Sequence, residues 1–151
     1  MALWYRIVRE RWAATAMDGE GARLHVGRWN PPGLAAVYLA ESRALAALEI
    51  LVHAPREALR LEWCVIAVEV PDEAIKVAAV KQLPRAWREQ PSSPDARRFG
   101  AAWLAKGGEL AMALPSVIVP QERTLLVNPR HPAAAKLKGA KAERFVFDPR
   151  L

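Results

Sequence analysis

Cysteine is nearly absent. Cys64 stands alone among 151 residues, so no intramolecular disulfide can form, which fits a reducing compartment. It sits inside LEWCVIAVEV, where a small buried hydrophobe is expected rather than a nucleophile. The three histidines, His25, His53 and His131, share no metal-ligand spacing with it or with one another, and no metal site is expected. No apolar run approaches the roughly 20 residues that cross a bilayer. The opening MALWYRIVRE carries arginines instead of a signal peptide's apolar stretch and small-residue cleavage site. A cytoplasmic protein with no membrane contact is therefore expected. Internal repeats and low-complexity segments are missing too. So is a strand followed by G-x-G-x-x-G, which disfavours a Rossmann-type redox use of a dinucleotide.

What is present suits one folded domain spanning 1–151. Hydrophobic residues make up 52% and charged residues 25%, an ordinary globular balance. The formal charge is 22 − 16 = +6. Six Lys/Arg against two Asp/Glu in residues 129–151 supply +4 of it. A positive field attracts nucleic acid, acidic ligands and acidic proteins alike. A basic nucleic-acid-binding module is thus one alternative, with tryptophans to stack on bases. The six tryptophans, at 4, 12, 29, 63, 87 and 103, are scattered and do not interleave with a basic patch.

The pattern predicts an α+β domain with a mixed or antiparallel sheet and flanking helices. LWYRIV (3–8), AVYLA (36–40) and LEWCVIAVEV (61–70) read as strands, the last as a central one. Residues 9–36 read mostly as loop, and DEAIKV is ambiguous. ESRALAALEILVHA (41–54) reads as helix, with Ser42 as N-cap and Pro55 as stop. SPDARRFGAAWLAKGG (93–108) has a capping serine, an early proline and closing glycines, so it too reads as helix. AMALPSVIVP (111–120) gives one or two strands broken at Pro115. TLLVN (124–128) is extended, HPAAAKLKGA (131–140) a short helix, and ERFVFD (143–148) a last strand.

Four places raise chemistry. In helix 41–54, Leu45, Leu48 and Val52 form an expected core stripe, and Glu49 falls on it. A carboxylate there needs a cation, a cavity or an edge position with its head in water. Tyr38 shares its strand face with the small Ala36 and Ala40, leaving room for a planar ligand unless the ring simply fills core. GRWNPPG (27–33) is a rigid, glycine-fenced turn carrying Arg28 beside Trp29. In PSVIVPQERTLLVNPRHP (115–132), Ser116 can satisfy a neighbouring backbone group and Asn128 can open a turn, or either can serve a site.

GRWNPPG, AVYLAESRALAALEILVH and PSVIVPQERTLLVNPRHP, in that order, resemble the RES-domain family. Its name comes from an Arg, a Glu and a Ser, and it comprises toxins of bacterial toxin–antitoxin pairs. The likeness runs from YRI at 5–7 to about residue 132. On it, Arg28, Glu49 and Ser116 match the family's three residues, and Tyr38 matches a pocket tyrosine. Thr124-Leu125 stands where Asn and an aromatic are expected after the ER pair. The resemblance implies a fold similar to ADP-ribosyltransferases, with NAD as substrate rather than cofactor. It further implies cleavage of the nicotinamide–ribose bond, with phosphate, water or a protein as acceptor, so the reading spans an NAD phosphorylase, a glycohydrolase and an ADP-ribosyltransferase. An Xre-type helix-turn-helix antitoxin is the implied partner, meeting DNA on the toxin's behalf, and a homodimer is plausible on the same ground. A catalytically silent partner-binding domain stays open beside the enzyme.

The chemistry is consistent with so few residues. Nicotinamide leaves as a neutral molecule, so the acid that glycosidases use is unnecessary and one carboxylate can suffice. Glu49 is expected to stabilise the oxocarbenium-like ribose and hold its 2′-hydroxyl. Arg28 offers a bidentate fork to the pyrophosphate, braced by Trp29. Tyr38 is expected to stack on the nicotinamide or its ribose. Ser116 is expected to bond the ribose or orient Glu49, and Asn128 to contact the dinucleotide.

Overall fold

A computed structural model describes residues 2–137 and 141–151. One mixed seven-stranded sheet runs through it in the order β4-β5-β6-β2-β1-β3-β7. The strands are β1 (Ala2–Arg9), β2 (Val37–Ala40), β3 (Trp63–Val70), β4 (Ile75–Val77), β5 (Ala111–Pro115), β6 (Arg123–Val127) and β7 (Glu143–Phe145). Every pairing is antiparallel except β4 with β5. The helices are α1 (Glu20–Leu24), α2 (Arg43–His53) and α3 (Pro94–Lys106), joined by several single 3-10 turns. The fold is therefore α+β, as expected.

The strand alternation divides the core between the two sheet faces. One face buries Trp4, Val37, Leu39, Val68, Ala113 and Leu125. On the other face, α3 covers Met112, Leu114 and Leu126, while α2 covers Ile7, Ala40 and Val65. Both helix starts follow capping rules. The Ser42 hydroxyl accepts from the Leu45 amide, and Ser93 from Ala96, with Pro94 filling the first turn. Gly107 ends α3 at φ 64°, a left-handed position where a Cβ is disfavoured.

Between β1 and β2 the ladder consists of one pair, Tyr5 with Ala40. The β1–β3 side, by contrast, is paired along its full length. Beyond Tyr5–Ala40 the sheet splits, and this split positions the site.

Some expectations change. Loop 9–36 contains a 3-10 turn at Glu10–Thr15 and the short α1. ERFVFD forms a strand over three residues only. The short helix read at 131–140 is a 3-10 turn at Pro132–Lys136, and residues 138–140 of that reading lie outside the described residues. On α2, Val52 is 56% exposed, so it is not part of the core stripe. Leu45 and Ala46 are the buried positions, with Ile50 and Leu51 packed beside them. The helix is rotated toward Ala46, whose methyl lets it approach the sheet closely, and Glu49 stays on the inward edge. Trp4, Trp29 and Trp63 are buried, and Trp87 and Trp103 pack against the α3 core. Trp12 is thus the one tryptophan left as an exposed large ring. That removes the stacking platform a nucleic-acid reading needs.

Candidate active site

A cavity of about 440 Å³ opens at the split, lined by β1, β2, α2 and the 27–29 turn. That volume lies within the roughly 300–1,000 Å³ of small-molecule clefts. Arg28 and Glu49 both line it. Burial holds the Glu49 carboxyl above the usual carboxylate range, and the nearby His53 and Arg28 pull it part of the way back. Burial likewise lowers the Arg28 guanidinium, opposed by the charge of Glu49 and by Tyr38. Acid and cation thus sense each other across one hollow.

The turn that carries Arg28 is tied down at four points. Gly27 donates its amide to the Asn30 carbonyl at 3.1 Å. The Tyr38 hydroxyl accepts from the Trp29 amide at 3.2 Å and donates to Asn30 Oδ1. Asn30 Nδ2 donates to the carbonyls of Ala22 and His25. Arg28 Nη1 donates to the carbonyls of Trp87 and Glu89, at 3.0 and 2.8 Å. A side chain at Gly27 would overlap Asn30 and Tyr38, so the turn closes only on glycine.

These contacts revise several roles. Tyr38 lines the cavity, but its hydroxyl is committed to the turn, and burial raises its pKa. Trp29 lies 2% exposed, edge-on to Phe99 at 5.9 Å. It backs the cavity wall and does not brace Arg28, which the 87–89 carbonyls hold instead. Ser116 is 1% exposed and sits outside the cavity lining. Its hydroxyl accepts from the Ile118 and Val119 amides, shaping the turn that presents Val117 to the cavity. Asn128 is buried beside α3, donating to the Leu104 carbonyl at 3.2 Å and accepting from the Arg130 amide. Its position is that of a turn residue, outside the cavity lining. At the family departure, Thr124 lines the cavity and Leu125 is core.

Sequence reasoning passed over Arg6. It lines the cavity from β1, and its Nη1 donates to the Tyr38 carbonyl across the split at 3.4 Å. Its Nε is buried with no partner among the described residues. Burial lowers its pKa, opposed by Asp18. A desolvated guanidinium with a donor to spare suits an anion. The signal was available: Trp4, Arg6 and Val8 share one strand face, so a charge sits in an apolar row, as Glu49 does on α2.

A split sheet with a carboxylate and two arginines around one hollow defines a cleft-bearing α+β domain with a charged, small-molecule-sized pocket. Residues 3–148 match the RES domain, and the chain belongs to that family. It is 40% identical to a Sphingobium protein, "Prs ADP-ribosylating toxin", over 91% of this chain and 88% of the relative. It is 38% identical to "Toxin Res" of Yersinia enterocolitica, over 97% of each. Among solved structures, the M. tuberculosis MbcT–MbcA toxin–antitoxin complex superposes with a TM-score of 0.78, at 21% identity. That match covers 96% of this chain and 84% of the other.

Proposed function

We propose that this chain is the toxin of a toxin–antitoxin pair and consumes NAD by breaking the nicotinamide–ribose bond. The observation that carries this is the shared cavity of Glu49, Arg28 and Arg6. In it Glu49 faces the ribose, stabilising positive charge as the bond breaks and holding the 2′-hydroxyl. A half-buried carboxylate acts more strongly there than in water. Two guanidiniums meet the pyrophosphate. Arg28 has one edge occupied by backbone carbonyls, so it presents the remaining nitrogens in a fixed direction; Arg6 adds its positive charge from the β1 wall. Preorganisation of this kind lowers the cost of ordering on binding. The names of the relatives, toxins among them, and the toxin–antitoxin title of the solved neighbour support the toxin role and a protein antitoxin as partner.

The ADP-ribose acceptor is water or phosphate in the first reading, which depletes cellular NAD. A second reading transfers it to a protein, and the relative named an ADP-ribosylating toxin favours it. One experiment tests both. Purified chain is incubated with NAD, with and without inorganic phosphate and with cell lysate, and the ribose product is identified by mass. Free ADP-ribose, its phosphorylated form or a modified protein names the acceptor. NAD left intact in every arm overturns the proposal.

A further inference from the structure

Two titratable groups of the cavity lining have no role so far: Tyr5, whose ring packs under the Arg43 guanidinium at 4.4 Å, and His53. His53 ends α2 one turn after Glu49, and the i,i+4 spacing turns both toward the cavity. Its Nε2 stands 4.0 Å from Glu49 Oε2. The imidazole is 78% exposed and the carboxylate 38%, so the histidine is the more solvent-accessible of the two. The charged groups facing it are Glu49 on its own helix, and Arg6 of β1 and Arg28 of the turn across the cavity. Arginines keep their protons throughout, Glu49 is engaged with the ribose in the proposed reaction, and the Tyr38 hydroxyl is tied to the turn. His53 is the only imidazole lining the cavity among the described residues. Histidine is also the side chain whose charge ordinarily changes between about pH 5 and 8.

We propose that His53 is the general base of the acceptor step, and that the acceptor is a neutral O–H group. This rests on the NAD reading of the cavity. In the step, the acceptor oxygen bonds to the anomeric carbon of the ribose. The carbon–nitrogen bond breaks, and its electron pair stays on the nicotinamide nitrogen, neutralising the pyridinium. The acceptor's proton passes to His53 Nε2 and on to solvent. An imidazole that already carries its second proton can take no other, and in that form it stands 4.0 Å from Glu49 Oε2 as an ion-pair partner. An acceptor that arrives as an anion, with no proton to lose, bypasses the need for His53.

The test measures nicotinamide release between pH 5 and 8 by the parent and by His53→Gln. Gln keeps a polar group at this exposed position but cannot take the proton. With water as acceptor, His53→Gln should lose about 100-fold at neutral pH, the usual worth of a general base. What remains should lose the imidazole's part of the parent's fall toward acid pH and keep the part set by protonation of Glu49. Adding azide, an anionic nucleophile, should restore release in His53→Gln and yield the ribosyl azide by mass. His53→Gln at the parent's rate with the parent's pH profile overturns this inference and leaves the NAD reading standing, as does a folded His53→Gln that azide fails to restore. No nicotinamide from the parent with any acceptor overturns both.

Discussion

Arg28 and Glu49 come from different elements, yet face one cavity and perturb each other's ionisation. Arg28 does so while its Nη1 is shared between two main-chain carbonyls of the 87–89 segment. The guanidinium therefore joins the 27–29 turn to a second loop and aims its free edge at the hollow. An ammonium has the charge but not the planar fork. Arg28→Lys is expected to lose about 10- to 100-fold in NAD consumption, with most of the loss in KM for NAD. Steady-state nicotinamide release measures it, and an unchanged KM counts against a pyrophosphate contact.

Glu49→Gln separates the carboxylate's charge from its shape. A carboxyl whose pKa is raised on folding keeps its proton to higher pH in the native state than in the unfolded chain. Its ionised form therefore costs stability, and that cost appears as pH rises through the folded value and vanishes below the unfolded one. Glu49→Gln should match the parent's melting temperature near pH 4 and exceed it at pH 7. The gain is only about 2 °C for so exposed a group. Activity should fall about 100-fold or more. Melts at the two pH values decide the sign: a loss confined to pH 7 means that charge pairing, not burial, dominates at Glu49.

α3 fixes the turn from behind. A Cβ on Gly100 would overlap the Trp29 carbonyl, a main-chain group that cannot swing aside. Alanine usually stabilises a helix interior relative to glycine by about 1 kcal/mol. Here Gly100→Ala should cost about 3 kcal/mol, because helix and turn must part. Gly21→Ala in α1 is the control: nothing lies within 4 Å of its added Cβ, so that change should be neutral or slightly stabilising. Thermal unfolding of the pair checks the contrast.

Much of this was legible in local signals. Ser42 and Pro55, Ser93 and Gly107 mark their helices because capping is local chemistry, and β1, β2 and β3 follow from apolar patterning. Glu49 stood out as a charge on a helix's inner edge. Val52 was misplaced because the stripe was drawn through the largest residues, whereas the small Ala46 decides which side of α2 meets the sheet. Ser116 and Asn128 act on backbone groups within their own turns or across α3, and residue type cannot tell such bonds from ligand contacts. The split between β1 and β2 is a tertiary event with no local mark, so the cavity and the reach of Arg6 into it emerge only when the sheet is assembled.

Tyr38 offers a sharper test of preorganisation than removing a charge. Its hydroxyl accepts from the Trp29 amide and donates to the Asn30 side chain, and it does so at the cavity wall. In Tyr38→Phe the ring stays, so stacking surface is kept, but a buried amide and a buried amide oxygen each lose a partner. Leaving such groups unsatisfied costs about 1–3 kcal/mol. The turn carrying Arg28 should loosen, raising KM for NAD several-fold while kcat changes less. If Tyr38 instead acts on the substrate through its hydroxyl, kcat falls with stability unchanged, so melting temperature and the KM–kcat split measured on one preparation separate the two roles.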